Sequence, residues 1–205
     1  MRAFLRFKNS LSLAFVAFFA TTSLVSSEIA DFTAFDVNLT LALLRKDQKI
    51  EVVVRDQVTD GCWTKSNAAK TAVEKNLIIA GYENIVPADD NAFFTIEVSA
   101  LGYDTGGNNC AVYVSLRAIS GEADRYYMND HEVMAINLRE QFSSSTLLTG
   151  PKSDMTSRIN DTLYEKSDEL IVAINAARNS LRKKISDTTI SEQKKNGLLS
   201  AFSLD

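Results

Sequence analysis

Apolar and polar residues alternate at the start of the mature region. Phe35, Val37, Leu39, Leu41 and Leu43 are separated by Asp36, Asn38, Thr40 and Ala42. A period of two is that of a half-buried strand, so the pattern predicts one here, although a helix also fits Leu39 to Leu44. Polar Arg45-Lys46-Asp47-Gln48 interrupts the alternation, and the β-branched run at 50–55 predicts a second strand that pairs with the first as a hairpin. After Trp63 the period changes. Ala69, Ala72, Val73, Asn76, Leu77 and Ala80 share one helical face, with Thr64 or Ser66 placed to cap its start and Gly81 to take a left-handed conformation at its end. Residues 93–101 and 111–119 read as two further strands. Asp104-Thr105-Gly106-Gly107-Asn108-Asn109 joins them and is the richest turn signal in the chain.

Residues 132–142 fit both periods: Met134, Ile136 and Leu138 alternate, while Met134, Leu138 and Phe142 share a helical face. Ser143-Ser144-Ser145-Thr146 continues the segment with poor helix formers, which favours a strand. From Ser153 a long helix is expected, because Met155, Ile159, Leu163, Leu170, Ile174, Ala177 and Leu181 keep the spacing of one buried face. Ser153 is its expected N-cap, and Arg178, Arg182, Lys183 and Lys184 crowd the far end, where cations offset the helix dipole. Residues 186–205 read as a tail with one more helical turn. The expected fold is α+β, a mainly antiparallel sheet of about five strands with two helices packed on one face.

This order of elements is similar to bacterial envelope modules. In the amino-terminal domain of the Tol-system propeller protein and in the lipopolysaccharide-assembly lipoprotein of the outer membrane, a helix ending in Gly precedes a strand hairpin, and a last helix packs back on the sheet. The matching residues here are Val73 to Gly81-Tyr82, the strands at 93–101 and 111–119, and the helix from Ser153. The resemblance implies a fold and an envelope setting, not an activity.

The amino terminus adds the compartment. Arg2, Arg6 and Lys8 precede an apolar run from Leu11 to Ala20, and small polar residues follow as far as Ser27. That is the order of a secretory signal peptide, with cleavage expected at Ser27–Glu28. The apolar run of about ten residues is half the length needed to span a bilayer. No Cys stands near the cut, where the lipoprotein family carries its acylation site. A periplasmic or secreted protein is therefore expected: a leader at 1–27, one domain at 28–185, and the tail. Removing the leader takes three basic residues and no acid, which moves the formal charge from −4 to −7. Such a domain is a poor partner for nucleic acid or an anionic membrane surface.

Candidate chemistry is sparse. Gly61-Cys62-Trp63 stands at the mouth of the first helix, where cysteine hydrolases keep a nucleophile whose thiol pKa the helix terminus lowers. His131, the single histidine, is the available base, with Asn129, Asp130 or Asn137 to orient it and Gln57 upstream as an oxyanion donor. Asp104-Thr105-Gly106 matches the core of aspartic proteases but occurs once, inside a turn signal. Asp89-Asp90-Asn91 lacks the Gly and terminal Glu of a calcium loop, and the two Cys and one His have no zinc spacing, so no metal is expected. The Ser-x-x-Lys spacings at Ser180 and Ser191 lack companion motifs. No phosphate loop or dinucleotide fingerprint implies a cofactor. Trp63 and Tyr103 are the candidate binding residues, as an exposed aromatic patch that anchors a partner or a sugar; the alternative is that they cover the disulfide and the helix start.

The simpler use of Cys62 is a disulfide to Cys110. Export supplies an oxidising compartment, and the two Cys leave none over. Strand 50–55 leads through a helix to strand 93–101, a crossover that suits parallel strands ending at the same side of the sheet. Cys62 follows the first of these strands, and Cys110 begins the return from the second. The expected function is a non-enzymatic binding or assembly module whose partner is an envelope protein or small ligand, with the cysteine hydrolase as the alternative.

Overall fold

The computed structural model describes residues 37–87, 92–128 and 131–202. The expected leader at 1–27, the first two residues of the expected strand at 35–43, and Asp89-Asp90-Asn91 lie outside the described residues. In chain order the elements are α1 (Leu39–Ala42), β1 (Ile50–Val58), α2 (Ser66–Ile79), β2 (Ile85–Val86), β3 (Phe94–Gly106), β4 (Asn109–Met128), β5 (His131–Pro151), α3 (Lys152–Asp187) and α4 (Glu192–Ala201). The five strands form one sheet in the order β2-β1-β3-β4-β5.

The fold is α+β as expected, but its sheet is mixed rather than mainly antiparallel, and among the described residues four helices accompany it rather than two. β1 is parallel to both β2 and β3, whereas β3, β4 and β5 run antiparallel. The cause is the crossover through α2, which returns the chain to the end of the sheet where β1 began. β2 joins the free edge of β1 on the way.

The strand expected over 35–43 does not form in its described part. Residues 39–42 make the helical turn α1 instead, capped by Asn38, whose Oδ1 accepts from the Leu41 backbone N–H at 3.0 Å. One helical turn lets Leu41, Ala42 and Leu44 all sink into the core. A strand would have turned Ala42 and Leu44 to the face opposite Leu41.

The core lies between the sheet and the helices. Phe94, Ile96, Val98 and Ala100 of β3 and Val112, Val114, Leu116 and Ala118 of β4 are buried, as are Met155, Ile159, Leu163, Leu170 and Ile174 of α3. Strand period two and helix period 3.6 converge on the same layer, and each fully buried large apolar side chain contributes roughly 1.5–3 kcal/mol. α2 and α3 are also joined by polar contacts: buried Asn76 donates to Ser167 Oγ and Asp168 Oδ1, both at 2.7 Å.

The helix ends differ in detail from expectation. Gly81, at φ +92°, stops α2, and the Tyr82 N–H bonds back to Leu77 O at 2.9 Å. Lys65 precedes α2 without a side-chain cap. α3 begins one residue before Ser153, directly after Pro151, and Ser153 Oγ donates to Asp154 rather than capping the helix. Instead, the Lys152 N–H donates to Asn108 O at 2.9 Å, which ties the start of α3 to the β3–β4 turn. The tail carries α4, held to the end of α3 by Lys195 Nζ donating to Ser186 O at 2.9 Å.

β4 and β5 outrun their neighbour. β3 pairs with β4 no further than Ser120, whereas β4 and β5 remain paired to Met128 and His131. Residues 121–128 and 131–138 therefore form a two-stranded ribbon extending about 26 Å beyond β3, at a strand rise of ~3.3 Å per residue. A register shift between Ala118 and Ile119 reverses the alternation of β5 at this point. Met134, Ile136 and Leu138 thus share a face with Ser143, Ser145 and Leu147.

Candidate functional site

Two places answer to the sequence-derived candidates: the disulfide end of the sheet, and the face that, among the described residues, no helix covers (the helix-free face).

At the first, the Thr59 N–H bonds to Gly102 O at 3.0 Å, so β1 ends beside Gly102, four residues before β3 does. Asp60 and Gly61, both at positive φ, turn the chain inward and bury Cys62. Cys62 is bonded to Cys110, with Cα atoms 6.0 Å apart and a sequence separation of 48. Its sulfur is therefore not a free thiol. His131 pairs with Met128 at the tip of the ribbon, 18 residues along β4 from Cys110. At the rise of an extended strand, that is on the order of 60 Å from the disulfide. Asn137 serves the ribbon, donating to Asp124 at 2.5 Å and to Tyr126 Oη at 3.1 Å, and Gln57 stands beside Leu101 on the sheet. Asn129 and Asp130 lie outside the described residues; Cys62, Gln57, His131 and Asn137 of the hydrolase reading are not brought together.

Trp63 and Tyr103 do not form the expected aromatic patch. Trp63 is 4 % exposed, and its indole N–H donates to Asn160 Oδ1 of α3 at 3.2 Å. Tyr103 is 59 % exposed and points the other way, because its neighbour Gly102 is the β3 residue facing the helices. The sheet separates the two rings. Asp104 belongs to the turn: it accepts from the Gly106 N–H at 2.7 Å and pairs with Lys152 Nζ at 3.6 Å. Gly107 and Asn108, at φ +62° and +66°, make the two-residue hairpin that this composition favours. Among the described residues, no three of His, Cys, Asp and Glu gather to hold a metal ion, and no helix is long and apolar enough to cross a membrane.

The helix-free face is organised in cross-strand rows. Nearest the disulfide end, Leu101, Tyr113 and Leu147 stand abreast on β3, β4 and β5, exposed by 57 %, 45 % and 66 %. Next comes a serine row, Ser99, Ser115 and Ser145, whose first two hydroxyls lie 2.7 Å apart. Then Glu97 faces Arg117 across β3 and β4 and receives hydrogen bonds from both Arg117 and Arg55. Burial pushes the Glu97 carboxyl up, but the hydrogen bonds and charges of Arg117 and Arg55 outweigh it and hold the carboxyl below its ordinary value. The bond to Glu97 in turn raises Arg117. Glu140 completes the charged row, 3.7 Å from Arg117.

Beyond it the ribbon presents Met134, Ile136 and Leu138, exposed by 63 %, 73 % and 76 %. Gly121 and Ala123 stand opposite Leu138 and Ile136, so the apolar row rises above small neighbours. The reverse side of the ribbon is polar: Arg139 pairs with Glu122 at 2.9 Å, alongside the Asn137–Asp124–Tyr126 contacts. Alternation separates the two sides, and the apolar one turns charged toward the tip, where Arg125 stands opposite Met134 and pairs with Glu132 at 3.2 Å. This face is not among the sites expected from sequence. The signal was present in Met134, Ile136 and Leu138, but it gave no sign that the helices would cover only the other side.

No protein-family profile and no curated protein matches the chain. Among solved structures it is similar to the PelC dodecamer from Paraburkholderia phytofirmans, at 17 % identity and a TM-score of 0.38, covering 60 % of this chain and 87 % of that one. It is likewise similar to a point variant of that dodecamer from the same organism, at 16 % identity and a TM-score of 0.38, covering 64 % of this chain and 88 % of the other.

Proposed function

We propose that this chain is an exported, non-enzymatic binding or assembly module that engages other proteins through the helix-free face of its sheet. The observation that carries the reading is the pair of exposed apolar rows on that face, one at Tyr113 and one at Ile136. An antiparallel sheet exposed on one side normally turns polar residues to water there, and a contiguous apolar surface marks an interaction site. Between the rows, Arg55, Glu97, Arg117 and Glu140 supply charge of both signs, which fixes register more than it adds affinity. Export is supported by the leader pattern at 1–27 and by a disulfide of the kind that persists in oxidising compartments.

The test is photo-cross-linking in intact cells, with a photoreactive residue at Leu147 or, as a control, at Val172, an exposed apolar position on α3. Adducts to protein from Leu147 and not from Val172 are expected. Equal labelling from the two positions, or none from Leu147, counts against the reading.

A further inference from the structure

We propose that the occupant of the helix-free face is a second copy of this chain, stacked face to face with its strands reversed, so that the ribbon of each copy covers the disulfide-end apolar row of the other. The proposal rests on the reading of that face as the binding surface and names its partner.

The argument is one of spacing. Measured along β4, the apolar rows stand at Tyr113 and Ala123, the latter level carrying Ile136 on β5. Both lie five residues from Ala118, about 17 Å at ~3.4 Å per residue. The charged rows flank the same midpoint, with Arg117 one residue before it and the Ile119–Glu140 pair one residue after. A two-fold axis midway between the two sheets and parallel to them, running across the strands at the level of Ala118, turns one copy over onto another, reverses its strands and keeps β5 above β5. Ile136 then meets Leu147 of the second copy. Arg117 lies opposite the level of the second copy's Glu140, and Tyr113 sits above the small Ala123.

An isologous contact of this kind is self-complementary by construction, because each match occurs twice. The other face-to-face stack, rotated about the strand direction, keeps every level against itself, so each ribbon meets the other copy's ribbon and neither covers the Tyr113 row. Aligned sheets pack about 10 Å apart, which suits interdigitating Ile, Leu and Met side chains. An isolated two-stranded ribbon is marginal in water at best, and a second sheet over its apolar side supplies what β3 does not.

Sedimentation of the mature chain tests this, with Ile136→Lys and Leu147→Glu as separate variants. Both positions are exposed, at 73 % and 66 %, so the fold should survive, as far-UV circular dichroism would show. If Ile136→Lys does not fold, Ile136→Thr, which keeps a β-branched residue, replaces it. The wild type is expected at about twice the monomer mass, and each variant alone at the monomer mass. An equimolar mixture of the two should return to the dimer, since the reversed stack places the new Lys against the new Glu and leaves the second Ile136–Leu147 contact intact. A dimer that survives both substitutions lies elsewhere and overturns the proposal. Dissociation without rescue in the mixture overturns the reversed register. A monomeric wild type overturns the self-association, and the cross-linking from Leu147 then decides separately whether the face binds another protein.

Discussion

Glu97 of β3 and Arg117 of β4 stand directly opposite each other on the helix-free face, and the carboxylate is nearly buried while the guanidinium is not. Arg55 donates to the other carboxylate oxygen, so a single acid neutralises two cations. Removing it by Glu97→Gln takes the acid from Arg55 and leaves Arg117 only the longer contact to Glu140 at 3.7 Å. Because both Arg are largely solvated, the expected loss is about 1–2 kcal/mol, below the cost of breaking a fully buried pair. Urea denaturation of the variant checks this.

The same pair predicts a pH dependence. The folded carboxyl of Glu97 is held below its ordinary 4.5, so its contribution is fully present above that value and is lost as pH falls toward the folded one. The wild type should therefore lose stability more steeply than Glu97→Gln between neutral pH and about pH 3. Parallel slopes would refute the assignment.

Reduction of the Cys62–Cys110 disulfide should destabilise the fold by about 4 kcal/mol on loop-closure entropy, given the length of chain it closes. The intact oxidised protein should also be lighter than the reduced form by about 2 Da. Two free thiols in protein taken directly from the envelope would contradict the bond and reopen Cys62 as a nucleophile.

Trp63 is the single tryptophan, and it is buried with its N–H on Asn160. Its emission should be blue-shifted in the native state and move red on unfolding. Asn160→Leu removes the acceptor and should cost about 1–3 kcal/mol through the unsatisfied indole donor. An unchanged denaturation midpoint would show that the bond contributes nothing.

The mature amino terminus is expected at Glu28, with the protein in the soluble envelope fraction or the medium. Amino-terminal sequencing after fractionation checks both. Residues 1–27 retained on a membrane-bound product would reverse the assignment of compartment.

Much of the architecture was legible in local pattern. α2, β3, the β3–β4 turn, the first half of β4 and α3 follow from periodicity and from turn residues such as Gly107 and Asn108, because these are short-range preferences of the backbone. The pairing of Cys62 with Cys110 was also legible, since a helical crossover places both at one end of parallel strands. Other features depended on partners distant in sequence. Alternation over 35–43 could not reveal that a single helical turn buries Leu41, Ala42 and Leu44 together. β2 is two residues long, too short to leave a periodic signal, and exists because β1 offers it an edge. Trp63 beside a predicted helix start reads as an exposed anchor or as a cover for the disulfide, and only α3, which supplies Asn160, buries it. The strands show their alternation in sequence, but which side of them the helices cover is a three-dimensional choice. That choice makes Val112 and Val114 core and leaves Tyr113 and Leu147 on the surface.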